Sequence, residues 1–101
     1  PNLSSYNILL SGYTFEGDIM GFTRVLQEMN EKNIAPDLRT MNSYMKLRLK
    51  RQEYEQVCEI YQQIVLQYIP DHYSLRYHFN ALGYLGKASE VQLEMSTIRM
   101  E

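Results

Sequence analysis

The apolar residues of this chain fall at helical spacing in short blocks, and each block is cut by glycine, asparagine or proline. Tyr6, Leu9, Leu10 and Tyr13 share one helix face; beyond Gly17, the residues Ile19, Phe22, Leu26 and Met29 form a second stripe. Farther on, Met41, Tyr44 and Met45 make one stripe, and Tyr54, Val57, Cys58, Tyr61, Ile64 and Val65 make another that keeps the i, i+3, i+4, i+7 rule. Leu75, Phe79 and Leu82 then precede Gly86, and Ala88, Val91, Met95 and Ile98 follow it. This alternation predicts six helices paired as antiparallel hairpins, with breaks near residues 15–18, 33–38, 50–53, 67–72 and 85–87 and no strand.

The punctuation repeats as well. Gly17 and Gly86 stand where a left-handed residue ends the first helix of a pair, Asn33 serves the same purpose before Pro36, and Asp18 is suited to N-capping. Pro1-Asn2-Leu3-Ser4-Ser5-Tyr6-Asn7 returns as Pro36-Asp37-Leu38-Arg39-Thr40-Met41-Asn42, and more loosely as Pro70-Asp71-His72-Tyr73-Ser74-Leu75-Arg76. The steps between these prolines are 35 and 34 residues. Such a period describes supersecondary units that cannot bury their apolar faces alone and so stack on their neighbours. The expected fold is all-α: an α-solenoid of about three helix–turn–helix repeats over residues 3–37, 38–71 and 72–101, forming one segment of a longer solenoid.

Charge sharpens the picture. The formal net charge is −2, yet residues 38–52 hold Arg39, Lys46, Arg48, Lys50 and Arg51, half of the ten basic residues, with no acid among them. Glu53, Glu55 and Glu59 follow on the next helix, so one helix of the second unit is positive and its partner negative. Arg39, Asn42, Lys46 and Lys50 lie at i, i+3, i+7 and i+11, a single stripe that suits a polyanion as well as it suits water.

Other chemistries find little support. Cys58, the lone cysteine, sits on an apolar stripe as a small core residue, and His72 and His78 have no partners at zinc spacing. Phosphate loops, nucleophile elbows and paired catalytic carboxylates are missing, so neither an enzyme nor a metal or cofactor site is expected. The longest apolar runs, such as Ile8-Leu9-Leu10 and Ile64-Val65-Leu66, are far shorter than the roughly 20 residues that cross a bilayer, and no membrane partner is expected.

Ser5-Tyr6-Asn7-Ile8-Leu9-Leu10-Ser11-Gly12-Tyr13, then Gly17-Asp18, then Leu26-Gln27-Glu28-Met29-Asn30-Glu31-Lys32-Asn33-Ile34-Ala35-Pro36-Asp37, resembles a pentatricopeptide repeat of the P-type. The second unit matches with one residue missing before Pro70, and the third matches in periodicity. Tetratricopeptide repeats share the hairpin, but their Trp-containing opening is absent and the chain has no tryptophan. The resemblance implies a right-handed superhelix, sequence-selective binding of single-stranded RNA, and a role in organellar RNA stability, processing, splicing or translation, in a mitochondrion or plastid. The alternative is a protein-interaction scaffold within a larger assembly such as an organellar ribosome, to which the acidic balance and nine tyrosines are suited.

By resemblance, bases are read by Asn7 with Asp37 and by Asn42 with Asp71, a combination similar to the family's uracil-preferring pair at two adjacent positions. Asparagine at a helix start and aspartate after proline are also ordinary capping and turn residues, and that reading stays open. The flanking positions carry Ser4, Arg39 and Tyr73, of which Arg39 and Tyr73 are suited to stacking on a base. Lys50 stands where the family carries a phosphate-binding lysine, and Lys46 lies on the same stripe; Arg76 replaces the base-reading asparagine in the third unit. Base reading requires Asn7, Asn42 and Arg39 to be at least partly exposed on one face.

Overall fold

Four of the helices begin on a side chain that caps their first turn, and three end at a left-handed residue. The computed structural model describes the backbone of residues 2–100 and the side chains of residues 2–86. Five helices lie within it: α1 (Leu3–Glu16), α2 (Ile19–Glu31), α3 (Leu38–Lys50), α4 (Tyr54–Gln67) and α5 (His72–Met100), with no strand among the described residues. Asn2 caps α1 by accepting from the Ser5 backbone N–H at 2.9 Å. At the other end Gly17 is left-handed, with φ 73°; its N–H bonds to Thr14 O and that of Asp18 to Tyr13 O, the paired bonds that terminate a helix on a left-handed residue. Asp18 then starts α2, its carboxylate accepting from Gly21 N at 3.0 Å.

The same exit is made twice more by residues other than glycine. Asn33, with φ 58°, ends α2 while the Ile34 N–H bonds to Met29 O, as the sequence led us to expect. Gln52, with φ 63°, ends α3 while the Glu53 N–H bonds to Arg48 O. Asp37 and Asp71 cap α3 and α5 by accepting from the backbone of Thr40 and Ser74, each at 3.0 Å.

Packing follows the chain. α1 lies on α2, α3 lies on α4, and the first helices stack along the solenoid, α3 touching both α1 and α5. Tyr6, Leu10, Phe22, Val25 and Met29 are buried in the first hairpin, joined by Leu47 from α3; Met45, Val57, Ile60, Ile64 and Ala81 are buried in a second cluster shared by α3, α4 and α5. Phe22 and Tyr44 stack across the junction at 5.1 Å between ring centroids. Gly21 of α2 packs directly under the Tyr13 ring of α1: a Cβ there would lie 2.5 Å from that ring.

The expected break at 85–87 does not occur, because α5 runs through Gly86 to Met100 as one helix. Glycine permits a left-handed exit without compelling one, and its cost inside a helix is only about 1 kcal/mol relative to alanine. At the two turns inside a hairpin, Gly17 and Gln52, the next residue is an acid: Asp18 caps α2, and Glu53 accepts from Arg48 Nη1 at 2.9 Å and Arg51 Nε at 3.1 Å. Gly86 is followed by lysine instead. No described helix is long and apolar enough to cross a membrane.

Candidate nucleic-acid interface

Two polar triads join consecutive first helices, and they are built alike. At the α1–α3 junction, Asn7 Nδ2 donates to Asp37 Oδ1 at 3.2 Å, and the Thr40 hydroxyl donates to Asn7 Oδ1 at 2.7 Å. Between α3 and α5, Asn42 Nδ2 donates to Asp71 Oδ1 at 3.0 Å, and the Ser74 hydroxyl donates to Asn42 Oδ1 at 2.6 Å. The aspartates occupy N-caps, so each amide from one unit docks on the first turn of the next. Asn2 and Ser5 repeat the receiving half at the start of α1.

The residues paired by resemblance are therefore in contact, though less exposed than expected. Asn7 is 4% and Asn42 8% exposed, against the requirement of partial exposure, because each amide is inserted between helices. Both ends of each amide are satisfied by polar partners. Burial pushes the Asp37 carboxyl up, but the Thr40 backbone N–H and hydroxyl and the Asn7 amide outweigh it, so its pKa lies below the ordinary value. Asp71 is lowered in the same way, burial being outweighed by the Ser74 N–H, the Asn42 amide and the Ser74 hydroxyl. Both carboxylates are ionised at neutral pH and act as pure acceptors.

Beside the second triad opens a cavity of about 500 Å³. Arg39, Asn42, Lys46, Asp71 and Tyr73 line it together, with Tyr77 at the rim of α5. A guanidinium and a phenol ring thus stand at the same opening as an amide–carboxylate pair, in a space the size of a small-ligand pocket. Asn7 and Asp37 lie at the other junction and do not line this cavity.

The basic stripe divides once its partners are seen. Lys50 Nζ donates to Phe15 O and lies 5.3 Å from the Phe15 ring centroid, and Arg51 Nη1 donates to Gly17 O at 3.3 Å. These cations hold the carbonyl end of α1, where positive charge is favoured. Lys50, expected at phosphate, thus also reaches the preceding unit, while its ammonium lies on an exposed residue. Arg48 is tied to Glu53 and, at 3.1 Å, to the Tyr44 hydroxyl. Arg39 and Lys46 are exposed and make no side-chain hydrogen bond or ion pair among the described residues.

Thr40 and Ser74 escaped the sequence reading, although a signal was present. Asp-x-x-Thr and Asp-x-x-Ser have capping-box spacing, and Asn2-x-x-Ser5 repeats it. His78 stacks on Tyr61 at 3.8 Å, and burial lowers its pKa; His72 lies against Tyr73 at 4.0 Å. Burial, with Glu55 nearby, pushes the Cys58 thiol up, which disfavours the reactive thiolate. No three potential metal ligands cluster among the described residues.

Residues 1–47 match the PPR repeat family. No curated protein matches the chain.

Proposed function

Because residues 1–47 belong to the PPR repeat family, we propose that the chain binds single-stranded RNA along the face formed by its first helices, with one base addressed per repeat junction. Asn42 with Asp71 addresses one base and Asn7 with Asp37 the adjacent one, both uracil by the pairing of amide with carboxylate. Arg39 and Tyr73 flank the base at the second junction, and Lys46 contacts phosphate. The family match supports a role in organellar RNA metabolism, and the proposal extends it to RNA stability, processing, splicing or translation in a mitochondrion or plastid.

The observation that supports this most is the cavity beside the second triad, where Arg39, Asn42, Lys46, Asp71 and Tyr73 converge. Stacking on an aromatic ring or a guanidinium is a general means of holding an unpaired base, and the lysine supplies a counter-charge. Fluorescence anisotropy with uracil and cytosine 12-mers across a salt series tests it. Tighter binding to uracil, weakening as salt rises, is expected; equal binding to both would remove the base-reading role.

A second reading has its own support. Leu66, Ile69 and Phe79 are 83%, 88% and 77% exposed, more apolar surface than an RNA-binding face requires. A protein-interaction scaffold would use that surface, and salt-insensitive capture of a protein partner with no RNA affinity would favour it.

A further inference from the structure

We infer that the groove between α3 and α5 holds one further nucleotide, unread, next to the base addressed by Asn42 and Asp71: its base stacks on Tyr84 and its phosphate link to the read nucleotide lies at Lys46. This rests on the RNA-binding reading above. A second cavity, of about 620 Å³, opens farther along α3. Lys46 and Tyr77 line both it and the cavity of the second triad, so the two are compartments of one groove. Their chemistry differs. Asp71 lines the first, whereas no carboxylate lines the second, which has the ammonium groups of Lys46 and Lys50 and a pair of phenol rings, Tyr54 and Tyr84. Two cations and an aromatic surface without an acid suit a ligand that is both anionic and flat, as a nucleotide is.

Spacing and repeat position support the same assignment. Lys46 stands one helical turn beyond Asn42, about 6 Å along α3, and Lys50 about 12 Å along it, so a phosphate at Lys46 lies between the read base and the second compartment. Tyr84 meets Tyr54 face to face, with ring centroids 4.5 Å apart and 8° between the planes, yet stays 53% exposed. One step of the repeat carries Phe15 to Lys50 and the next carries Lys50 to Tyr84, so rings stand in the first and third units where the second has a cation. A ring at that place holds a base by its π-face, whichever base it is. Gln52 and Asn80 line the compartment without a carboxylate beside them to fix an amide as Asp71 fixes Asn42. The nucleotide there adds affinity and no sequence preference, and the bound strand is one nucleotide longer than the two addressed uracils require.

The test measures affinities of the intact chain for 12-mer RNAs in which two adjacent uracils in a cytosine background fix the register. The nucleotide before or after the pair is adenine, cytosine or an abasic sugar. An abasic sugar on one side of the pair is expected to weaken binding about tenfold, the size of one base stacked on an aromatic ring. Exchanging adenine for cytosine at that position should change affinity by less than about threefold, since stacking tolerates every base. Tyr84→Ala should remove the abasic penalty, so that abasic and intact RNAs bind alike, and Tyr84→Phe should keep it. A penalty that survives in Tyr84→Ala, or none on either side in the unaltered protein, overturns the second nucleotide and leaves base reading in place. Equal affinity of the unaltered protein for uracil and cytosine at the central pair removes the reading on which the inference rests. If Tyr84→Ala melts early by circular dichroism, Tyr84→Leu, which keeps an apolar contact with Tyr54 but has no ring, repeats the comparison with the same expected loss of the penalty.

Discussion

The first two units close into hairpins, whereas the third extends as a single long helix. Tyr6, Leu10 and Met45 are covered by the second helix of their own unit or by a neighbouring one, whereas Leu75, Phe79 and Leu82 on the corresponding face of α5 stay 51%, 77% and 46% exposed. The turn positions show why. Gly17, Gln52 and Gly86 are equivalent in the repeat; the first two are left-handed and the third is helical. Glycine is therefore neither required for the exit, as Gln52 shows, nor sufficient for it, as Gly86 shows. An acid in the next position, Asp18 or Glu53, accompanies both turns inside a hairpin.

The largest effect expected from this contrast is in the core. Leu10→Ala removes a side chain with no exposure and should cost about 2–5 kcal/mol in urea denaturation, whereas Phe79→Ala should change stability by no more than about 0.5 kcal/mol. Comparable losses from both would mean that α5 is covered as the other first helices are. Gly21→Ala comes next. Its Cβ would press on the Tyr13 ring and force α1 and α2 apart, at an expected cost of about 1–3 kcal/mol by the same measurement.

The glycine pair should respond with opposite signs. Gly17→Ala places a side chain in the left-handed region and should destabilise by roughly 1–2 kcal/mol. Gly86→Ala, with open space around it, should stabilise α5 by up to about 1 kcal/mol. A gain of similar size is expected at Gln52, where Gln52→Gly relieves a left-handed glutamine and should raise stability by about 0.5–1 kcal/mol. A loss there would show that the glutamine side chain contributes more than its backbone costs.

Much of this architecture was legible because helix ends follow local chemistry. Asn33 and the proline-flanked boundaries were readable from one or two residues each. Gln52 was not, since its conformation is imposed by the bonds of Gln52 and Glu53 to the last turn of α3 rather than by any preference of glutamine. The missing sixth helix has a related cause, as the apolar spacing after Gly86 fits a hairpin but says nothing of whether the turn is capped. At the candidate site, resemblance paired Asn7 with Asp37 and Asn42 with Asp71, and the folded chain brings both pairs together. Helical spacing placed Lys50 on the basic face without revealing that the carbonyl end of α1 lies within its reach. Thr40 and Ser74 act on amides about thirty residues away, at contacts that no local pattern announces.

The account turns on whether the cavity beside α5 reads a base, and Asn42→Ala compared with Lys46→Ala tests that most directly. Binding to RNAs that differ at one position should show Asn42→Ala losing about 1–3 kcal/mol for the matched uracil and little for other bases. Lys46→Ala should weaken every RNA alike and reduce the slope of log affinity against log salt by about 0.7, the contribution of one phosphate on a single strand. Equal losses from both variants across all RNAs would contradict base reading and leave an unselective basic surface, while no effect from either would place RNA elsewhere than in this cavity.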